Sequence, residues 1–350
     1  MDAATNKLLL AGTVIPAHPL ALDRNLKLDE KRQRRLTRYY LAAGAGGLAV
    51  GVHTTQFAIH RPDTGLYEPV LSLAMDEMNR AHRTDSLIKV AGICGPTDQA
   101  VREAGLAAKL GYDLGLVSLG GLKDLPEDAL IDQIAAITEV LPVFGFYLQP
   151  SVGGRLLSYA FWEKMAELPG VYAIKTAPFN RYETLNVVRA VCYSSRREQI
   201  ALYTGNDDNI VQDLLARYSF HVGGNRVTKT FAGGLLGHWA VWTHQAVALF
   251  KEIKACIRNQ YAEIGNLLVK GTAITDMNAA IFDAPNAFRG SIAGIHEVLR
   301  RQGLLEEIVC LDPGDKLSPG QADEISRVCS LYPDLLDDTF VKDFLKRDPD

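Results

Sequence analysis

The strongest constraint on how this chain can fold is a repeating alternation. From residue 8 to about residue 224, short apolar runs rich in Val, Ile, Leu and Ala are each followed by a longer stretch of helical period. Eight such runs can be read: LLLAGTVIP, GGLAVGV, IKVAGI, DLGLVSL, PVFGFYL, GVYAIK, IALYTG and SFHVGG. Between them lie amphipathic stretches such as LDEKRQRRLTRYYLAAG, TDQAVREAGLAAKLG, PEDALIDQIAAITEVL and DDNIVQDLLARY, with helix starts at Thr97 and at Pro126-Glu127-Asp128. Strands that are apolar throughout and alternate with such helices predict an α/β fold with parallel strands under a helical cover. Eight units in this span fit a closed (β/α)8 TIM barrel better than a doubly wound open sheet, and no G-x-G-x-x-G follows the first run. Beyond Gly224 the pattern reads as helices only, as in GHWAVWTHQAVALFKEIKACI and SIAGIHEVLRRQG. The expected organisation is a barrel over 1–235 and a C-terminal helical region over 236–350 packed on it.

Composition narrows the function classes. Of 350 residues, 47% are hydrophobic, enough for a large core, and the formal net charge of −4 supplies no basic surface for nucleic acid. No stretch approaches the roughly 20 apolar residues that span a bilayer. Five scattered cysteines without a C-x-x-C pair point to a reduced, cytoplasmic protein with no disulfide frame. The eight histidines form no H-E-x-x-H or H-x-x-E-H pair, so neither a metal nor another cofactor is expected.

In a barrel of this type the reactive groups sit at the C-terminal ends of the strands. The sixth run, Gly170 to Lys175, is apolar until it ends on a lysine. Burial disfavours the ammonium and leaves an amine that attacks carbonyls. The same lysine can also snorkel to water or pair with an acid, and placement alone leaves both readings open. The fifth run ends on Tyr147, a phenol for proton transfer or an ordinary core aromatic. The second run leads into Gly51-Val52-His53-Thr54-Thr55, whose N–H groups and hydroxyls suit a carboxylate or simply cap a turn. Gly205 and Gly224, after the seventh and eighth runs, let a ligand approach the backbone or merely permit tight turns, while Asp207 or Asp208 fits a helix N-cap.

Together these residues resemble the dihydrodipicolinate synthase / N-acetylneuraminate lyase family of class I aldolases, over roughly residues 8–330. FGFYLQPSVGG is similar to its Y-N-x-P tyrosine motif, VYAIKTA to its lysine motif and YTGNDD to its G-x-D turn. The resemblance implies Lys175 as the Schiff-base lysine and Tyr147 as its proton relay. It further implies Gly51, Val52, His53, Thr54, Thr55, Gly205 and Gly224 around a small-molecule 2-oxo acid such as pyruvate, in a homo-oligomer. The departures point away from the family's best-known reactions. His53 stands where a hydroxyl residue is expected, Val152 where the synthases carry an arginine, Leu122 in a loop that lacks its tyrosine, and Thr176 after the lysine. A lyase, aldolase or dehydratase, that is not an authentic dihydrodipicolinate synthase is the expectation. The alternative is a barrel that binds a 2-oxo acid as a sensor or scaffold.

Overall fold

The computed structural model describes residues 1–81 and 85–348. Its strands are β1 (Val14–Pro16), β2 (Gly47–Val50), β3 (Ile88–Ile93), β4 (Leu114–Val117), β5 (Val143–Leu148), β6 (Val171–Ala177), β7 (Ala201–Thr204), β8 (Tyr218–Val222), β9 (Asn225–Lys229) and β10 (Gly233–Leu236). Eight of them form one sheet in the order β1, β10, β7, β6, β5, β4, β3, β2. The runs from β3 to β7, and β7 with β10, pair in parallel. The end strands β1 and β2 meet through a parallel Ala17–Ala49 bridge, and His18 N–H donates to Ala49 O at 2.8 Å. This is a (β/α)8 barrel followed by C-terminal helices, as the alternation predicts.

Two compact units make up the chain: Met1–Thr13 with Ser86–Leu235, and Val14–Asp85 with Leu236–Asp350. The 235/236 boundary expected from the pattern is one of three places where the chain passes between them. The C-terminal helices are Thr243–Arg258, Ile264–Ile281, Ser291–Arg301, Gln321–Leu331 and Asp338–Arg347, the last not read from the sequence. Among the described residues, no helix is long and apolar enough to cross a membrane.

Two expected strands differ from the observed ones. Leu8, Leu9 and Leu10 belong to a helix, Ala3–Ala11, whose start is capped by the Asp2 carboxylate accepting from Thr5 N–H at 2.7 Å. The eighth barrel strand is not SFHVGG. Those residues form β8 of an antiparallel hairpin with β9, turned by Gly223 (φ +55°) and Gly224 (φ +82°). Positive φ at both central residues is what a type I′ hairpin turn demands. The barrel strand is the small-residue run Gly233–Leu236.

In the first unit, β5 and β6 set the site. Val143 pairs with Val171 but Phe144 pairs with Ala173, so Tyr172 is an extra residue in β6. From there the register runs Phe146 to Lys175 and Tyr147 to Thr176. One added residue exchanges the two pleats beyond it. Without it Tyr147 would lie opposite Lys175.

The first helix is held to the rest of its unit at Gly12, which has φ +85° and whose Cβ, if present, would lie 1.7 Å from Ala232 O. Gly12→Ala is therefore expected to cost about 2–4 kcal/mol by backbone overlap and a strained φ. Gly65, at φ +62° with nothing within 4 Å of such a Cβ, is the control: Gly65→Ala should cost about 1 kcal/mol by strain alone. Urea unfolding of the two variants measures both.

Candidate active site

Lys175 is the fifth of seven residues in β6, and its side chain is 7% exposed. On the same pleat, its register partners are Phe146 on β5 and Tyr203 on β7. The ammonium lies 4.4 Å from the centroid of the Phe146 ring. Tyr203 donates its hydroxyl to Leu9 O at 3.0 Å and meets Phe144 edge-on at 5.3 Å. Burial drives the Lys175 ammonium down to about 8, against the opposing pull of the Asp207 carboxylate. A substantial share of neutral amine near physiological pH follows.

The turn after β7 is built against this lysine. A Cβ on Gly205 would lie 2.4 Å from Lys175 Cε and 3.0 Å from its Cγ, so glycine here makes room for the amine. Gly205 N–H donates to Thr176 O at 2.8 Å, and Asp207 N–H returns to Gly205 O at 3.1 Å. Asn206 sits wholly buried beneath the turn. Its amide donates to Asp213 Oδ2 at 2.8 Å and to Thr184 Oγ1 at 3.2 Å, and its carbonyl accepts from Phe179 N–H at 3.1 Å. Asp213, 1% exposed, also accepts from Thr204 Oγ1 at 2.7 Å and Arg181 Nη1 at 2.5 Å. The helix N-cap expected from Asp207 or Asp208 is Asn209 instead, because the acids are drawn into the turn before it.

Tyr147 does not join Lys175. Its hydroxyl donates to Glu183 Oε2 at 2.9 Å, accepts from Leu157 N–H at 3.4 Å, and its ring packs on Trp162 at 5.0 Å. Trp162 and Glu183 stand on the covering helices Tyr159–Glu167 and Arg181–Tyr193, so the phenol faces outward. Burial first, and then the Glu183 carboxylate, push the phenol well above its ordinary range and keep it protonated. The motif spacing places this tyrosine at the strand end, but the Tyr172 bulge turns it away from the lysine.

In the second unit, the turn expected to hold a carboxylate satisfies much of itself. Thr55 Oγ1 accepts from Gly51 N–H at 3.0 Å and Val52 N–H at 3.1 Å, and donates to His18 O at 2.6 Å. The N–H groups of Gly51 and Val52 are thus already engaged. Thr54 Oγ1 donates to the same carbonyl at 3.3 Å. The His53 ring meets Phe57 edge-on at 5.8 Å. Gly224 lies at the tip of the β8–β9 hairpin with nothing within 4 Å of where a Cβ would be, and is no part of the lysine's surroundings. Arg155, three residues past Val152, donates to Leu122 O at 2.8 Å and Leu125 O at 2.9 Å and so fastens a loop.

A buried lysine near the C-terminal end of β6, within a (β/α)8 framework, defines the class of site. No protein-family model matches the chain. A curated N-acetylneuraminate lyase from Citrobacter koseri is 28% identical over 207 residues, covering 58% of this chain and 65% of the lyase. The match thus spans just under two thirds of that relative's own length. Among solved structures, dihydrodipicolinate synthase from Oceanobacillus iheyensis superposes with a TM-score of 0.73 at 16% identity, covering 94% of this chain and 99% of that one. N-acetylneuraminate lyase from Fusobacterium nucleatum complexed with pyruvate gives 0.71 at 18% identity, covering 93% and 99%. In sequence the chain is similar to an N-acetylneuraminate lyase, and in fold to dihydrodipicolinate synthases and N-acetylneuraminate lyases.

Tyr147→Phe removes one hydrogen bond to Glu183 from the helix-facing pleat. The expected loss is about 1 kcal/mol of stability, read by urea unfolding. With Lys175 reacting toward a carbonyl reagent, the variant should stay within about threefold of the parent, whereas loss of a proton-transfer group costs roughly a hundredfold or more.

Proposed function

We propose that this protein is a class I lyase, an aldolase or dehydratase that forms a Schiff base between Lys175 and pyruvate or a related 2-oxo acid. The observation that carries the reading is Lys175 itself: a lysine two residues before the end of β6, 7% exposed, with its ammonium brought down to about 8. Neutral Lys175 attacks the C2 carbonyl, and loss of water leaves an iminium. The iminium draws electrons from C3, so a C3 proton leaves or a C3–C4 bond breaks to give an enamine. The likeness to a lyase that was solved with pyruvate supports the substrate class.

The reading stops short of dihydrodipicolinate synthesis, because Val152 replaces the synthases' arginine and Arg155 is occupied by Leu122 O and Leu125 O. For the Gly51–Thr55 turn of the second unit, the sequence resemblance alone supports a carboxylate-binding role, and Thr54, whose bond to His18 O is long at 3.3 Å, is the hydroxyl to test. Assembly as a homo-oligomer and a cytoplasmic location belong to the same proposal.

A second reading is favoured by the outward-facing Tyr147: a barrel that binds a 2-oxo acid covalently or reversibly, as a sensor or scaffold, without turnover. Trapping without any catalysed cleavage, condensation or dehydration would select it.

Borohydride with pyruvate or another member of a 2-oxo acid panel is expected to leave one reduced adduct on Lys175, located by peptide mass spectrometry. Lys175→Ala abolishes it. Gly205→Ala, which drives a methyl group into the lysine's stem, should lower its rate by about tenfold or more, in line with the sensitivity of attack geometry. An unmodified Lys175 across the whole panel sinks the reading.

A further inference from the structure

Proton transfer at a carbonyl-attacking lysine needs a group that gives and takes protons within reach of both nitrogen and oxygen. The pleat that faces Lys175 offers little for this. Phe146 has no exchangeable proton, the Tyr203 hydroxyl is committed to Leu9 O, and Tyr147 is on the opposite pleat with Glu183. What faces the lysine instead is the turn after β7. Gly205 packs directly on the lysine stem, and Asp207, two residues further on, donates its backbone N–H to Gly205 O at 3.1 Å. Asp207 is 5% exposed.

The turn is held from below. Asn206 is clamped by Asp213, Thr184 and Phe179 N–H, and Asp213 is itself fixed by Thr204 and Arg181. Asp208 is drawn the other way, its Oδ1 standing 3.9 Å from Arg181. A carboxylate that is itself buried and whose charge acts on a buried amine is a costly arrangement to keep for packing alone.

We propose that Asp207 is the acid–base residue of imine formation at Lys175, and that Asn206 and Asp213 are the positioning residues that hold it there. The proposal rests on the Schiff-base reading of Lys175. Starting from the ammonium–carboxylate pair, Asp207 takes one proton and frees the amine. The nitrogen lone pair forms the C–N bond while the C=O π electrons move to oxygen. Asp207 returns its proton to that oxygen, then removes a proton from the nitrogen. Finally it protonates the departing hydroxyl, so that water leaves and the nitrogen lone pair forms the iminium. Ammonium, carboxylate and ketone have become iminium, carboxylate and water, with no other reactant.

The pair supplies a signature that a structural role lacks. The reactive form carries one proton shared between Lys175 and Asp207, so the parent's rate of imine formation is level below about 8 and falls above it. Without the carboxylate the only reactive form is free amine, and the rate climbs with pH instead. The climb's midpoint lies below about 8, because the Asp207 charge is what raises the lysine.

The test is rapid-quench borohydride trapping with pyruvate, from neutral to alkaline pH, on the parent, Asp207→Asn, Asp207→Glu and Asp208→Asn, each checked for folding by thermal melting. Asp207→Asn is expected to slow adduct formation by roughly a hundredfold or more at neutral pH and to invert the profile. Asp207→Glu should recover part of the rate and the parent's profile, which guards against loss of fold in the amide variant. Asp208→Asn should stay within about twofold, its carboxylate being turned toward Arg181. An Asp207→Asn variant that traps at the parent's rate with the parent's profile overturns the proposal and leaves the Schiff base standing. A parent that traps no 2-oxo acid overturns both.

Discussion

The register between β5 and β6 is the constraint that decides which side chains share the pleat of Lys175. A strand's side chains alternate with a period of two, so a shift of one residue moves every later side chain to the other face. The extra residue at Tyr172 makes that shift between the Val143–Val171 pair and the Phe144–Ala173 pair. Everything beyond follows. Phe144 and Phe146 turn to the pleat of Lys175, while Gly145, Tyr147 and Thr176 turn to the helices. Gly145 leaves room for the covering helix, since a Cβ there would lie 2.2 Å from Met165 Cε and the methionine would have to shift. Tyr147 gains Trp162 and Glu183 as neighbours, and Lys175 gains a ring in place of a phenol.

Much of the fold was legible in the sequence for a simple reason. Strands buried on both faces must be apolar at every position, and the runs of β3 to β7 stand out from the amphipathic helices between them. The two failures have physical causes. Leu8, Leu9 and Leu10 are as apolar as a strand, but Asp2 three residues before Thr5 caps a helix over them, and a short apolar run does not reveal its own period. SFHVGG alternates because it is half exposed in a hairpin, whereas the true barrel strand, Gly233-Gly234-Leu235-Leu236, carries too little side chain to register as one. Its glycines are required: a Cβ on Gly233 would lie 2.3 Å from Thr13 O.

The site was legible only in part, and the division is instructive. Lys175 stands out, because a buried lysine within an otherwise apolar strand is unusual whatever the register. Tyr147 is a matter of spacing along one strand, and spacing is blind to an insertion in the neighbouring one. Asp207 reads as a helix cap because acids cluster before helices. Only the hydrogen bonds of Asn206 to Asp213 and Thr184 show the turn folded inward and the cap passed to Asn209. The hydroxyls of Thr54 and Thr55 are in the expected place in the chain, yet both donate to His18 O.

In the proposed Schiff-base reading, a buried carboxylate whose charge acts on a buried amine would keep Lys175 both protected and reactive. Desolvation alone would lower the ammonium further and leave a neutral, poorly solvated amine with no means of moving protons. The opposing charge of Asp207 restrains that fall to about 8, near the pH where amine and ammonium interconvert readily. Such a pair is tolerable only if the carboxylate cannot wander into water. That is the role the geometry gives to Asp213, whose two oxygens take bonds from Thr204, Asn206, Asn209 and Arg181 around one buried point. The Arg181 and Glu183 side chains leave the same first turn of one helix, one fastening the β7 turn through Asp213 and the other fastening Tyr147. A single helix start thus fixes which groups face the lysine and which are kept from it. If Asp207 serves Lys175 as proposed, the proton-transfer group stands after β7, on the other side of β6 from Tyr147 on β5.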